Sequence, residues 1–263
     1  MMYNIFMNSL TLNSYNKYAK DYFASSNIKI IHKYIEKPAM YEKIPNLTGK
    51  KVLCIGCGTG EECLEMYKKG AKEIVGVDES FAMLDIAKSK YGYLQNITFI
   101  CSNFLNLEQG FNSFDFIYSS LTLHYEPNLS QSINKIDTLL KNSGMILFSI
   151  SHPIRSSFQE QSVGKTFFKG IGTIQLNTSE KETVFGDYFD SSLKEETWML
   201  GKFNYNYYHF TFEQIFKALK ENNFITEDVI EPKPIQEIPE SFPEKYSRYP
   251  TILIVRATKK SQR

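Results

Sequence analysis

The sequence has little of several features that would each indicate a particular class of protein. Its 263 residues contain only 4 cysteines, 4 histidines and 1 tryptophan. Four cysteines in a chain of this length are too few for the dense disulfide framework of a small secreted domain. No apolar run approaches the ~20 residues that cross a bilayer, and the first residues lack the basic and apolar regions of a secretion signal. We therefore expect a cytoplasmic protein with no membrane span.

The charge is not biased toward one sign. The chain has 30 lysines and arginines against 29 aspartates and glutamates, and they are interspersed. No basic stripe indicates a nucleic-acid surface, so a small molecule is the expected partner and DNA is not. Cys54 and Cys57 have C-x-x-C spacing, but they fall within a predicted strand and a glycine loop, so we predict no metal site. Composition leaves the oligomeric state open between monomer and homodimer.

Short apolar runs alternate with helical patterns along the first part of the chain. Strands are predicted at 51–55, 73–77, 97–101, 114–119 and 144–151, with helices at 61–69, 80–90 and 129–140 between them. Parallel strands need crossover connections, and this order supplies them. The pattern predicts an α/β fold with a doubly wound, mostly parallel sheet.

The repeat is interrupted after residue 151. Residues 152–210 show no βα repeat but are rich in aromatic residues, and the pattern resumes with a helix at 211–222 and strands at 224–231 and 251–258. The loop before the last strand is broken by prolines and too short for another crossover, so that strand is predicted to be antiparallel to its neighbour. The aromatic residues are Phe158, Phe167, Phe168, Phe185, Tyr188, Phe189, Trp198, Phe203, Tyr205, Tyr207, Tyr208 and Phe210.

Three glycines follow the first predicted strand directly. Gly56, Gly58 and Gly60 occupy the first βα turn, where an open α/β sheet brings its backbone closest to a ligand. Asp78 ends the second strand, where a carboxylate can accept hydrogen bonds from both hydroxyls of a ribose. Together they indicate a cofactor that contains a nucleoside. The alternative is that the glycines serve only the turn and Asp78 caps the next helix, a role also open to Ser80.

Four stretches of the sequence resemble one family. Residues 52–60, 76–84, 101–104 and 114–120 are similar to the class I S-adenosylmethionine-dependent methyltransferases, and especially to the small-molecule branch that includes ubiquinone and menaquinone methyltransferases. Tyr-Asn-Lys-Tyr-Ala at 15–19 also resembles the Y-D-x-x-A opening of that branch. The resemblance covers about residues 14–151 and implies a Rossmann-like fold with S-adenosyl-L-methionine as cofactor.

The resemblance also implies which residues bind the cofactor. The matching positions are Tyr15, Gly56, Gly58, Gly60, Asp78, Glu79, Met83, Ser102, Asn103, Phe104 and Ser119. By analogy, the glycines would lie against the ribose and the methionine part, Asp78 would hold the ribose hydroxyls, and Ser119 would lie beside the methionine. Positions 79, 83 and 102–104 would surround the adenine.

The chain departs from the family pattern at two positions. Cys54 stands where the family usually has an acid that helps to position the ammonium group of the cofactor, and Asn103 stands where it prefers aspartate. A thiol supplies no charge, and asparagine keeps only a carbonyl acceptor for the adenine amine. Glu61 or Glu62 is a candidate for the missing charge.

The resemblance implies methyl transfer to a small molecule, and the aromatic insertion indicates an aromatic or apolar acceptor. His124 and His152 follow the fourth and fifth strands and are the candidate general bases, although a structural role explains each equally well. For His209 the structural role is favoured. The Asn/Asp-Pro-Pro-aromatic motif of nucleic-acid amine methyltransferases is absent after the fourth strand, which further argues against DNA.

These expectations divide one domain into four parts: a helical cover at 1–48, a cofactor-binding core at 49–151, a substrate-lid insertion at 152–210 and the end of the sheet at 211–263. Two other functions stay open. One is an NAD(P)-dependent oxidoreductase, which position 61 disfavours because the dinucleotide fingerprint has glycine there. The other is a protein that binds S-adenosylmethionine without catalysis.

Overall fold

The structure is a computed structural model that describes residues 8–24, 30–108, 112–163, 166–175, 182–198 and 201–261. Its strands, in chain order, are β1 (Lys51–Ile55), β2 (Glu73–Asp78), β3 (Ile97–Cys101), β4 (Phe114–Ser119), β5 (Leu140–Ser151), β6 (Gln159–Val163), β7 (Thr166–Gly170), β8 (Gly172–Gln175), β9 (Glu182–Phe185), β10 (Leu193–Trp198), β11 (Phe203–Tyr208), β12 (Phe224–Ile230) and β13 (Ile252–Lys259).

The helices are short and follow the predicted order. They are α1 (Ser9–Lys17), α2 (Ala19–Ala24), α3 (Lys37–Glu42), α4 (Glu61–Lys68), α5 (Phe81–Tyr91), α6 (Leu129–Leu139), α7 (Pro153–Ser156), α8 (Phe212–Glu221) and α9 (Lys245–Arg248). A π-helical turn at His32–Glu36 leads into α3, and 3₁₀ turns lie at Phe104–Asn106 and Leu123–Tyr125. In the parts of the chain that the structure describes, no helix is both long enough and apolar enough to cross a membrane.

Seven strands form one sheet in the order β12-β13-β5-β4-β1-β2-β3. The pairs β1–β2, β2–β3, β1–β4 and β4–β5 are parallel, whereas β13 is antiparallel to both β5 and β12. The predicted fold class is therefore confirmed, including the antiparallel last strand. The fifth strand begins at Leu140 rather than 144, since this buried leucine continues directly from α6 into the sheet.

Alternate residues of the central strands pack on opposite faces of the sheet. Leu53 and Ile55 belong to a core cluster with α6 and α8, while Val52 and Cys54 belong to a second cluster with α3, α4 and α5. A parallel sheet covered by helices on both faces produces this arrangement. The sheet is thereby buried, and its carboxyl edge is the part that can receive a ligand.

The described part of the aromatic insertion contains three antiparallel hairpins, β6–β7, β8–β9 and β10–β11. The last hairpin places Phe203, Tyr205 and Tyr207 in a cluster with Tyr125 and with tyrosines of α1 and α2. The ring of Tyr15 meets that of Phe203 edge-on, with 4.9 Å between centroids. The N-terminal helices and the insertion thus meet over the carboxyl edge of the sheet. The side chains of Phe167, Phe168 and Trp198 lie outside the described part of the chain.

The sheet order predicts that replacing either of two valines that face each other across β12 and β13 changes the free energy of unfolding by a different amount. Val255 is buried in the interior strand, whereas its register partner Val229 on the edge strand is 49% exposed. We expect Val255→Ala to lower the free energy of unfolding by about 2 kcal/mol, because methyl groups leave a packed core. Val229→Ala is the matched control and should change it by less than about 0.5 kcal/mol. Urea denaturation measures both, and equal losses would contradict this placement of β13.

Candidate functional site

A cavity of about 730 Å³ opens at the carboxyl ends of β1, β2 and β4. The glycine loop and Asp78 form one side of it, and the loop after β4 forms its floor. The hairpin β10–β11 and the residues around α9 form the opposite side. Its size is typical of sites for small ligands and cofactors.

Gly56 and Gly58 line this cavity, and the fold requires glycine at both. Gly56 has φ +65°, and a Cβ atom there would lie 2.0 Å from Oγ1 of Thr122, in the loop after β4. Gly58 has φ +49°, and its amide donates a hydrogen bond of 2.8 Å to Oδ2 of Asp78. The left-handed backbone disfavours side chains at both positions, and at Gly56 the close approach of Thr122 excludes one.

Gly60 has a different role from the other two glycines. Its φ is +82°, and a Cβ atom there would lie 3.0–3.1 Å from Tyr91, Ala87 and Phe99. It does not line the cavity and lies where α4 begins. Its position serves the turn and the packing of the loop against α5 and β3.

Asp78 lines the cavity and does not itself cap α5. Its Oδ1 accepts a 2.8 Å hydrogen bond from the Ser80 amide, and its Oδ2 accepts the one from Gly58, yet it lines the cavity. Burial raises the pKa of this carboxyl to about 6, although the two backbone hydrogen bonds oppose the rise. Ser80 itself caps α5 by accepting from the Met83 amide at 3.2 Å. A carboxylate oxygen can accept more than one hydrogen bond, so Asp78 can still bind a ribose.

The residues expected around the adenine lie at a second, smaller cavity. Glu79, Ser102 and Phe104 line it together with Glu126, and it shares Gly56, Asp78, Thr122 and Tyr125 with the large cavity. Its volume is about 20 Å³, so a base can enter only if a side chain at the rim moves. Met83 and Tyr15 line the large cavity instead.

Besides Gly60, two of the predicted cofactor residues line neither cavity. The Asn103 amide is buried and bonded to Glu79, Glu126 and the Leu105 backbone. Ser119 is buried at the end of β4, and its neighbours Ser120 and Leu121 line the large cavity in its place. Both predictions of direct contact stay predictions.

A charged cluster borders the glycine loop. Lys37 donates to Glu61 at 2.6 Å and lies 3.1 Å from Glu62, and all three line the cavity. The sequence indicated the two glutamates as substitutes for the acid missing at Cys54, but no motif marked Lys37. Cys54 points away from the cavity into the core. Among the described residues, no cluster could hold a metal ion.

The other half of the cavity is lined by an ion pair that the sequence did not reveal. Arg155 of α7 donates to Glu196 of β10 at 3.0 Å, and the hydroxyls of Tyr205 and Tyr207 donate to the same carboxylate at 2.5 and 3.1 Å. Burial favours the neutral acid, but the charges of Arg155 and Lys169 and the hydrogen bonds from Tyr205 and Arg155 together outweigh it and lower the pKa of Glu196 to about 2. Only the folded hairpin brings β10 to α7, so no local signal could have found this pair.

His124 lines the same half of the cavity. Its Nδ1 accepts a hydrogen bond of 3.3 Å from the Ser151 amide, which places the imidazole proton on Nε2. Burial and the charge of Arg155 lower its pKa to about 3. At neutral pH His124 is therefore uncharged, and it is a hydrogen-bond donor rather than a base.

The candidates His152 and His209 have structural partners. His152 caps α7 by accepting from the Ile154 amide at 3.2 Å, and its Nε2 lies 2.9 Å from Glu231. His209 is bonded to Ser156 and to the backbone carbonyl of Tyr188. Neither lines the cavity.

Comparisons with known proteins find similarity to methyltransferases. Residues 53–148 match the family described as "Methyltransferase domain". A demethylmenaquinone methyltransferase of Staphylococcus haemolyticus is 29% identical over 174 residues, which cover 65% of this chain and 66% of that protein. An uncharacterised protein of Haemophilus influenzae is 28% identical over 94% of this chain and 98% of its own length. The crystal structure of an S-adenosylmethionine-dependent methyltransferase from Mesorhizobium loti has a TM-score of 0.69 and 26% identity, covering 85% of this chain and 97% of that one.

The raised pKa of Asp78 predicts how cofactor binding depends on pH. Only the carboxylate accepts hydrogen bonds from both ribose hydroxyls, so protonation below pH 6 should weaken binding of S-adenosylhomocysteine about tenfold per pH unit. In Asp78→Asn, the affinity for S-adenosylhomocysteine at pH 7.5 should fall about tenfold or more. The loss of affinity on lowering the pH below 6 should disappear, because asparagine does not titrate. Calorimetry between pH 5 and 8 measures both.

Asp85→Asn is the control for this experiment, since Asp85 is an exposed aspartate on α5. It should leave the affinity and its pH dependence unchanged. A wild-type affinity that is constant from pH 8 to pH 5 would contradict the role of Asp78.

Proposed function

We propose that this chain, a class I S-adenosyl-L-methionine-dependent methyltransferase, methylates a small molecule with an aromatic or apolar body. The observation that carries the proposal is the continuity of the cavity. One space of about 730 Å³ runs from the glycine loop to Tyr205 and Tyr207, so a cofactor and an acceptor have room side by side.

The residues of the first half of the cavity fit the cofactor. Asp78 would hold the ribose hydroxyls, and Gly56 and Gly58 allow close approach of the backbone. The cluster of Lys37 with Glu61 and Glu62 carries both signs of charge, as the amino-acid part of the cofactor does. When bound, S-adenosyl-L-methionine supplies an electrophilic methyl group on its sulfonium.

The acceptor half supplies orientation rather than base catalysis. His124 and Glu196 have pKa values of about 3 and about 2, so neither takes a proton from the acceptor at pH 7. We therefore propose an acceptor whose attacking atom already has a free lone pair or a negative charge at neutral pH. His124 Nε2–H would donate a hydrogen bond that orients this acceptor, and alignment in a cavity from which water is excluded can supply much of the rate.

The walls of the acceptor half support the aromatic or apolar body. Tyr205 and Tyr207 stack with 5.8 Å between their ring centroids, and Tyr125 lies beside them. Flat rings provide large contact areas with fixed geometry. The free thiols of all four cysteines suit a reducing compartment, and we propose that the reaction takes place in the cytoplasm.

A binding screen followed by turnover tests the proposal. S-adenosylhomocysteine should raise the melting temperature of the protein and NAD should not, which separates a methyltransferase from an oxidoreductase. In its presence, small aromatic compounds that raise the temperature further are candidate acceptors. Mass spectrometry with S-adenosyl-L-methionine labelled on the methyl group should then show transfer to one of them. Binding of the cofactor with no turnover on any compound would support the non-catalytic alternative.

The roles of the two candidate histidines can be separated once an acceptor is known. His124→Gln should lower kcat/KM by about ten- to a hundredfold, as expected for one lost hydrogen bond, without changing the shape of its pH profile between 6 and 8. His152→Gln should lower the melting temperature and leave kcat/KM within about threefold, because His152 only caps α7 and contacts Glu231. Loss of an acidic limb of the pH profile in His124→Gln would instead indicate a general base.

A further inference from the structure

A hydrogen-bond cluster joins the segments that follow three strands of the sheet, β2, β3 and β4. Asn103, which follows β3, donates from Nδ2 to Glu79 Oε1 at 3.0 Å and to Glu126 Oε1 at 2.8 Å. Its Oδ1 accepts from the Leu105 amide at 2.8 Å. Asn103 therefore lies between two carboxylates and already uses both ends of its amide.

Glu126 is the member of this cluster that has room for a further hydrogen-bond donor. The residue is only 4% exposed, and its Oε2 is buried with no hydrogen-bond partner among the described residues. Burial raises the pKa of Glu126, while the hydrogen bond from Asn103 opposes this. A buried carboxylate oxygen without a donor is costly, and such a group is expected to have a partner in the functional state.

The surroundings of Glu126 show what that partner can be. Glu126 lines the small cavity together with Ser102 and Phe104, and Gly56 and Asp78 belong to both this cavity and the cofactor cavity. A donor that reaches Oε2 must therefore lie next to the group held by Asp78. In a nucleoside whose ribose is bound by Asp78, the base is the group nearest to this cavity.

We propose that Glu126, rather than Asn103, accepts the hydrogen bond from the exocyclic amine of the cofactor's adenine. The carboxylate that the resemblance leads one to expect at position 103 is supplied from the loop after β4. Asn103 positions it by donating to Oε1, which leaves Oε2 for the ligand.

The same geometry explains why position 103 is an asparagine rather than an aspartate. An aspartate at 103 would place a third carboxylate within about 3 Å of Glu79 and Glu126, because the present amide lies 3.0 and 2.8 Å from them. Like charges at such distances repel strongly in a buried site. The amide at 103 and the carboxylate at 126 are therefore a matched pair, each of which requires the other.

Entry of the base requires movement of one side chain at the rim. Glu79 is half-buried, whereas Asn103 and Glu126 are both buried. Solvent already reaches Glu79, so it is the member of the cluster that can release its hydrogen bond at least cost. Glu126 and Asn103 stay in place as the fixed recognition pair.

The test compares S-adenosylhomocysteine with S-inosylhomocysteine, which has a carbonyl in place of the amine. The wild-type protein should bind the adenine ligand at least tenfold more tightly in calorimetry, because Oε2 accepts from an amine but repels a carbonyl oxygen. This comparison needs no variant. Equal affinity of the wild type for the two ligands would overturn the proposal.

Two variants identify the residue that distinguishes the amine of S-adenosylhomocysteine from the carbonyl of S-inosylhomocysteine. Glu126→Gln should weaken binding of S-adenosylhomocysteine at least tenfold. It should also bring the ratio of the affinities for the two ligands close to one or reverse it, since a glutamine amide can donate to the carbonyl. The double variant Asn103→Asp/Glu126→Gln exchanges the two groups and should restore a preference for adenine of at least threefold.

The control is Glu108→Gln, which alters an exposed glutamate that lines neither cavity and should change both affinities by less than about threefold. Melting temperatures without ligand verify that each variant is folded. If Glu126→Gln is folded and keeps the wild-type preference, or if Glu108→Gln removes it, the assignment to Glu126 is wrong.

Discussion

The hydrogen bond from the Gly58 amide to Asp78 holds the site together. It joins the loop after β1 to the end of β2, and it requires the left-handed backbone that glycine adopts at low cost. Gly56 adds a second constraint, because its missing Cβ makes room for Thr122 from the loop after β4. Three strand ends are thus fixed relative to one another by main chain and one carboxylate. The shape of the cavity depends on that arrangement, whereas the raised pKa of Asp78 comes from burial, which the hydrogen bond from Gly58 opposes.

The acceptor half depends on parts of the chain that are far apart in sequence. Tyr15 of α1 donates to or accepts from Tyr125 at 2.8 Å and packs on Phe203 of β11. Arg155 and Glu196 then attach the hairpin β10–β11 to α7. Breaking this partly buried ion pair leaves one charge uncompensated, so the pair favours one position of the hairpin. Aromatic packing and one ion pair therefore shape the acceptor side, whereas backbone geometry shapes the cofactor side.

The departures from the family pattern have local explanations in the structure. Asn103 is surrounded by the carboxylates of Glu79 and Glu126, where an amide is more favourable than a third acid. Cys54 lies in the core, and the charges near the glycine loop come from Lys37, Glu61 and Glu62 instead. A substitution at one motif position is thus best judged together with the neighbouring side chains, because a neighbour can supply the charge or the hydrogen bond that the motif residue lacks.

The sequence by itself determined the sheet, the antiparallel last strand and the places of Gly56, Gly58 and Asp78, because hydrophobic periodicity and glycine turns are local signals. It also marked His124 and Asn103, but it could not show that burial keeps His124 neutral or that Asn103 turns toward two glutamates. Arg155, Glu196, Lys37 and Glu126 carried no local signal. Their roles depend on contacts between residues 23 to 41 positions apart, and only the tertiary structure creates those contacts.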